Sequence, residues 1–462
     1  MKKILFWIIL GLMVIRPADA RGLEVRISGG RLTLHAEDVQ LKEVLRRFAA
    51  QGVAVQIDPE LNPRISADIE NQPAETALKS ILKSFNHALV WESVPGPEKF
   101  RLAEIQIFEP GKKEAMRPFR PTENFKVVKN PADGSFFVQN ELLLRLRPGA
   151  SASEFDKFIK ALDGVVLEKN ERLGVYKIRL PQGADVPALV ERIAKGPGPV
   201  FAEANQVYPV ILPYQGVGES PPIQDHSSAF QSRGSAAVAI LDSGLLPGSA
   251  AEAQVVASLD AVNSGDVFSD GLGHGTQMAL IASGVINPLG ISTASDASTP
   301  IIPIRAFDDN GMTTSFAVMD SIDFALKNGA KVMSLSWGTE TRSPFLEEAM
   351  DYAASKGLFV IAAAGNEPTG KPVYPAAFPS VLGVGALGPD GKPWKQSNYG
   401  DFVEISAPGF ASLPVGYQGN PGTYAGTSIA TAYVAGTLAR YLSENPEAGR
   451  QEAIHYLKRV FK

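Results

Sequence analysis

Residues 236–244 read AAVAILDSG: an unbroken apolar run, then Asp242, Ser243 and Gly244. A run without alternation, closed by a polar turn, suits a strand buried on both faces. The pattern returns in IIPIRAF (301–307), KVMSLSWG (331–338), LFVIAAAGN (358–366) and VLGVGAL (381–387). Between these runs lie helical patterns: TQMALIASGVI (276–286), FAVMDSIDFALKNG (316–329) and SPFLEEAMDYAASKG (343–357). Buried strands alternating with helices predict an α/β domain, three layers with a mostly parallel sheet. Polar residues that end such strands stand where these sheets build their sites.

Upstream the pattern changes. MKKILFWIILGLMVIRPADA has positive Lys2 and Lys3, an apolar Ile4–Ile15 and a small-x-small Ala18-Asp19-Ala20. It reads as a secretory signal peptide, 1–20, with an uncleaved anchor as the alternative. Residues 21–108 alternate short strands and amphipathic helices in an α+β pattern. VQLKEVLRRFAAQG puts Val39, Leu41, Val44, Leu45 and Phe48 on one helical face and stops at Gly52. Residues 109–134 carry Pro110, Pro118, Pro121 and Pro131 among charges and read as a linker. Residues 135–212 follow the order β-α-β-β-α-β, which is ferredoxin-like. Residues 213–228, with Pro221 and Pro222, read as an exposed connection open to proteolytic nicking. The α/β part then fills 229–462, behind two small α+β domains.

Composition narrows the function. The chain has 462 residues, 45% apolar and 20% charged, so it is globular. A formal net charge of −5 without any basic run argues against nucleic acid as a partner. It has no cysteine, which removes thiol nucleophiles, disulfides and cysteine zinc sites. Neither H-E-x-x-H nor G-x-S-x-G occurs.

Three polar residues remain in reactive settings. Asp242 ends an apolar strand. His274, in GLGHGTQMALIASG, lies between glycines and opens an apolar helix; His35, His87, His226 and His455 have no such setting. Ser428 stands in GTSIATAYVAG (426–436), where small residues suit either close helix packing or an accessible nucleophile. A hydroxyl needs a base to take its proton, and a carboxylate fixes that imidazole's tautomer. Asn366, after Gly365 at a strand end, offers an N–H to an oxyanion, with the Ser428 backbone N–H as a second donor.

These residues lie in AILDSG, GHGTQMA, AAAGN and GTSIA, with SNYG (397–400) and ISAPG (405–409) in order between the last two. Together they resemble the subtilisin-like serine proteases over about residues 225–445. The resemblance implies the subtilisin-like three-layer fold and a triad of Asp242, His274 and Ser428. It implies substrate held as an added strand between Ser334–Gly338 and Ala362–Gly365, with Ser336, Trp337, Gly338, Ala364 and Gly365 as contacts. Trp337 replaces a smaller aliphatic residue and is expected to narrow or reshape a pocket. Gln277 and Ile429 also depart from the family pattern. The 135–212 unit, with its FAEANQV ending, resembles the propeptide of such proteases. LTLHAEDVQLKEVL, VAVQIDPEL and NQPAETALKSIL resemble the short N-terminal domain of secretins and TonB-dependent transducers, which implies a cell-envelope partner.

The expected function is an exported serine endopeptidase, periplasmic or secreted in a Gram-negative bacterium and autoinhibited as a zymogen. Polypeptide substrates and its own propeptide-like domain are the expected partners. The alternative is a catalytically silent envelope protein that uses the fold as a peptide-binding scaffold. No metal ligands are assigned. Calcium is the one cofactor kept open by the resemblance, and the acidic DDNG (308–311) reads as an ordinary turn.

Overall fold

The computed structural model describes residues 24–461 apart from 29, 50–52, 59–60, 62, 94–99, 110–116, 120–125, 216–235, 263–268, 292–297, 309 and 416–420. The expected signal peptide lies outside the described residues, as does most of the expected connection. Among the described residues, no helix is long and apolar enough to cross a membrane. The chain divides into two compact units, residues 1–121 and 122–462.

The first unit holds β1 (Glu24–Ser28), β2 (Arg31–Gln40), α1 (Leu41–Ala49), β3 (Ala54–Ile57) and β4 (Arg64–Pro73). It continues with α2 (Ala74–Ile81), β5 (Asn86–Ser93), β6 (Phe100–Phe108) and β7 (Arg117–Phe119). The strands form two sheets, β1-β2-β4 and β5-β6-β3-β7. Leu41, Val44, Leu45 and Phe48 of the expected helical face are buried in its core. Val39 is in strand β2 instead, paired with Ile65, so the helix begins two residues later than its apolar spacing suggests. Two short strands fall in the expected linker. One is β7, an edge strand, where Pro118 costs no ladder hydrogen bond.

The other is β8 (Val127–Lys129), which opens the second unit by pairing with β9 (Phe136–Leu146). There follow α3 (Ala152–Ala161), β10 (Val165–Asn170), β11 (Val175–Arg179), α4 (Val186–Lys195) and β12 (Val200–Pro209). The order β10-β11-β9-β12 is antiparallel throughout, as a ferredoxin-like unit requires. Ser151 and Glu154 form the capping box that starts α3.

The rest of the unit runs β13 (Tyr214–Gln215), β14 (Ala237–Asp242), β15 (Leu259–Asp260), α5 (His274–Ala282), β16 (Ile301–Arg305) and β17 (Met312–Thr314). Next come α6 (Ser315–Lys327), β18 (Ala330–Leu335), α7 (Pro344–Ser355), β19 (Phe359–Ala363) and β20 (Val381–Leu387). The chain ends in β21 (Val403–Pro408), β22 (Phe410–Leu413), β23 (Gly422–Ala425), α8 (Thr427–Glu444) and α9 (Arg450–Val460). Seven strands, β15-β16-β14-β18-β19-β20-β21, form one parallel sheet. Every residue of β14 is buried, as its unbroken apolar run predicts.

Two cores line the sheet. One joins it to α5, α8 and α9. The other joins it to α6 and α7 and takes in Leu143, Val175 and Tyr208 from the ferredoxin-like part. That part therefore shares a core with the α/β part, at about 1.5–3 kcal/mol per buried large apolar side chain. Its sheet also continues through β12 into β17. The small residues of α8 do pack closely: a Cβ at Gly436 would lie 2.3 Å from the Ala282 carbonyl of α5. The same helix carries Ser428 in its first turn, so packing and chemistry use one run of small residues.

Candidate active site

Asp242 ends β14 and His274 opens α5, and both are almost wholly buried. The Asp242 carboxylate accepts from His274 Nδ1 at 2.7 Å and from the Ser243 backbone N–H at 2.8 Å. Nδ1 thus carries a proton and Nε2 faces away from the carboxylate. That Nε2 is buried and has no hydrogen-bond partner. Strand and helix can meet because Gly275 has no side chain, since a Cβ there would lie 2.3 Å from the Gly244 carbonyl.

Asn366 follows the end of β19, and Ser428 lies in the first turn of α8. Asn366 Oδ1 accepts from the Thr427 backbone N–H and from the Thr427 hydroxyl, both at 2.9 Å. This fixes the amide's orientation, and Asn366 Nδ2 donates to the Leu212 carbonyl at 3.0 Å. The Ser428 hydroxyl donates to the Ile211 carbonyl at 2.9 Å. So the serine's hydroxyl is bonded to a peptide carbonyl and not to the imidazole.

Those carbonyls belong to the segment that leaves β12. The Val210 N–H donates to Gly311 at 2.9 Å, and the Ile211 N–H to Ser336 at 3.0 Å. Val210 also bridges Trp337 in antiparallel sense. Beyond Pro213, Tyr214 and Gln215 pair with Ala425 and Tyr424 of β23. Main-chain addition of this kind is how extended peptides are held. Beside Leu212 lies a cavity of about 500 Å³, its wall including Gly338, Glu340, Gly365 and Glu367.

The remaining sequence-predicted contacts divide. Ser336 meets the added strand, while Gly338 and Gly365 line the cavity. The Ala364 main chain is taken by the Val384 carbonyl at 2.9 Å and by Asn398 Nδ2 at 3.2 Å. Trp337 does not shape the cavity as expected. Its side chain is fully buried and stacks on Tyr208, with ring centres 4.9 Å apart. An indole this large turns into the core shared with the ferredoxin-like part.

The profile of the subtilase family matches residues 234–460. A thermophilic serine proteinase from Bacillus sp. strain AK1 is 30% identical over 318 residues, 67% of this chain and 79% of that protein. Thermitase from Thermoactinomyces vulgaris is 36% identical over 227 residues, 47% of this chain and 78% of that protein. The chain belongs to the subtilase family. The profile of the fervidolysin N-terminal prodomain matches residues 123–205 of this subtilase. Fervidolysin from Fervidobacterium pennivorans, a keratinolytic enzyme related to subtilisin, has a similar solved structure, with TM-score 0.55 and 25% identity. The match covers 71% of this chain and 58% of fervidolysin. The subtilase is thus a serine endopeptidase made as a zymogen, with a prodomain ahead of its catalytic part.

Several buried polar residues that hold helices of this subtilase in place were not singled out in the sequence. Asp270 is buried, and its Oδ1 accepts from the Gly273 N–H and the Ser243 hydroxyl, both at 2.8 Å. Its Oδ2 accepts from the Thr276 N–H at 2.7 Å and the Thr276 hydroxyl at 2.6 Å. Gly273, the N-cap of α5, has no side chain to offer, so Asp270 caps the helix that carries His274. Glu203, on β12, accepts from the Ser343 hydroxyl and the Phe345 N–H at the start of α7. Asn205 does the same for the Phe316 N–H of α6, at 3.2 Å. Burial of Glu203 pushes its carboxyl up to about 7. A spacing of three or four residues before a helix start could have marked Asp270. The partners of Glu203 lie some 140 residues away, as at Ser343, and are invisible in sequence.

Among the described residues of the acidic turn, Asp308 is already engaged. Asp308 Oδ1 accepts from the N–H groups of Asn310 and Met312, both at 2.9 Å, so it serves its own turn. Among the described residues no three His, Asp or Glu side chains converge.

Proposed function

We propose that Asp242, His274 and Ser428 are the catalytic triad of this exported endopeptidase and Asn366 its oxyanion donor. The observation that carries this is the buried 2.7 Å Asp242–His274 bond, which leaves Nε2 unpartnered beside a site where Asn366 already binds a peptide carbonyl. Asp242 holds the imidazole in the tautomer whose Nε2 can accept a proton. Ser428 gives that proton to Nε2 as its oxygen attacks the carbonyl carbon. Asn366 and the Ser428 backbone N–H stabilise the oxyanion. His274 then protonates the leaving nitrogen, and water releases the acyl group by the same route. Substrate enters as an extended strand on Ser336 and Gly338, its side chain directed to the cavity beside Gly365.

The proposed division of the chain is a signal peptide (1–20), an envelope-docking domain (21–108) and a linker (109–134). Then come the prodomain (135–212), a connection (213–228) and the catalytic domain (229–462). The prodomain inhibits by laying its C-terminal segment in the cleft. The first domain, with its secretin- and TonB-like pattern, binds a cell-envelope partner in a Gram-negative periplasm or at the cell surface. The test is fluorophosphonate labelling of purified protein, intact or nicked, with peptide mapping and Ser428→Ala as control. Label on Ser428 supports the endopeptidase, and no label on any species sinks it. Deletion of residues 21–108 tests docking: unchanged localisation in cells would count against an envelope partner.

A further inference from the structure

The segment from Val210 to Gln215 crosses the site, paired on both sides of Leu212. Its Leu212 carbonyl receives the Asn366 amide at 3.0 Å, so the following bond, Leu212–Pro213, lies where a substrate's breaking bond would lie. The segment is held on the acyl side by Ser336 and Trp337 and on the leaving-group side by Tyr424 and Ala425. The residue at the leaving-group position is a proline. Its ring packs on the residue two before the serine: a Cβ at Gly426 would lie 3.1 Å from Pro213 Cβ and 3.2 Å from its Cα.

Proline at that position works against hydrolysis. Its nitrogen bears a ring carbon in place of hydrogen, and the ring fixes φ. To leave, the nitrogen must turn pyramidal and take a proton from the imidazolium. A ring lying beside Gly426 leaves less room for that movement. The nucleophile is also misdirected, because Ser428 donates to the Ile211 carbonyl at 2.9 Å while His274 Nε2 has no partner.

We propose that residues 210–215 are a built-in substrate mimic that the enzyme cannot cut, and that Pro213 is the residue that protects it. The zymogen then stays latent with its chain intact across its own active site, and the cut that separates prodomain from enzyme falls at another bond. The inference rests on the triad assignment above. With alanine at 213 the ordinary reaction returns. Ser428 oxygen bonds to the Leu212 carbonyl carbon and its proton passes to His274 Nε2. The carbon–nitrogen bond breaks with that proton delivered to the nitrogen of residue 213. Water then hydrolyses the Leu212 ester.

The experiment compares full-length wild type, Pro213→Ala and Pro213→Ala with Ser428→Ala by intact mass and N-terminal mapping over time. Pro213→Ala should yield a product beginning at residue 213 about 100-fold or more faster than wild type, the scale of effective general-acid catalysis. The double variant should stay whole. Peptides VYPVILPYQ (207–215) and VYPVILAYQ, offered to whichever wild-type species labels with fluorophosphonate, give the same answer if the variant does not fold. The alanine peptide should be cut after the leucine and the proline peptide left intact. Wild-type products beginning at Pro213, or an uncut alanine peptide with labelled Ser428, would overturn the inference alone. Absence of label on every species would overturn the triad assignment and the inference together.

Discussion

Asn366 donates its side-chain amide to the Leu212 carbonyl at 3.0 Å, so the candidate oxyanion donor is already engaged by the chain's own peptide bond. The contact states the required geometry, a donor aimed from a rigid strand end at a carbonyl oxygen. Asn366→Ala is expected to lower kcat of the processed enzyme by roughly 100- to 1,000-fold with little change in KM. Steady-state kinetics on a peptide substrate check it.

Thr427 holds Asn366 from behind through two bonds of 2.9 Å. Thr427→Val removes the hydroxyl donor and leaves only the backbone N–H to orient the amide. A loss of about 1–1.5 kcal/mol in transition-state stabilisation, roughly tenfold in kcat, is expected. Thr427→Ser keeps the hydroxyl and should restore the rate. Equal losses in both variants would point to packing instead.

Asp270 joins the His274 helix to Ser243, beside Asp242. Asp270→Ala leaves the Gly273 and Thr276 N–H groups without this buried acceptor. Destabilisation of roughly 2–4 kcal/mol is expected, from buried donors left unsatisfied. Urea unfolding of the inactive Ser428→Ala chain measures it free of self-digestion.

Glu203 links pH to prodomain packing. Burial raises its carboxyl to about 7 from the usual 4.5, and nearby Glu348 adds in the same direction, while Ser343 and Phe345 pull it back. Burial also raises Asp320 of α6, the partner of Asn170 on the prodomain. A carboxyl raised in the packed state favours packing while protonated. Its contribution is full below about pH 4.5 and is lost as pH rises through about 7, up to roughly 3 kcal/mol for Glu203. The Tm of full-length Ser428→Ala should therefore fall between pH 4.5 and 8. Glu203→Gln should flatten that fall, and an unchanged profile would remove Glu203 as its source.

The catalytic half was legible because its signals are local. The apolar run of β14 marks a doubly buried strand whatever its neighbours, and glycines around His274 and small residues after Ser428 mark close approach. Some helices have their cap adjacent in sequence, as at Ser151 and Glu154. Val39 was misplaced because its apolar spacing fits a helix face and a β2 position equally well, and pairing with Ile65 decided it.

By itself, then, the sequence determined the α/β class, the ferredoxin-like order of the unit ahead of it and the residues of the candidate site. Each rests on periodicity or on a motif a few residues long. Only the tertiary structure decided that Trp337 turns into a core shared with Tyr208, that Glu203 caps a helix far along the chain, and that Leu212 and Pro213 lie across the serine. Those contacts join residues more than a hundred positions apart, and no local pattern records a partner that folding alone brings near.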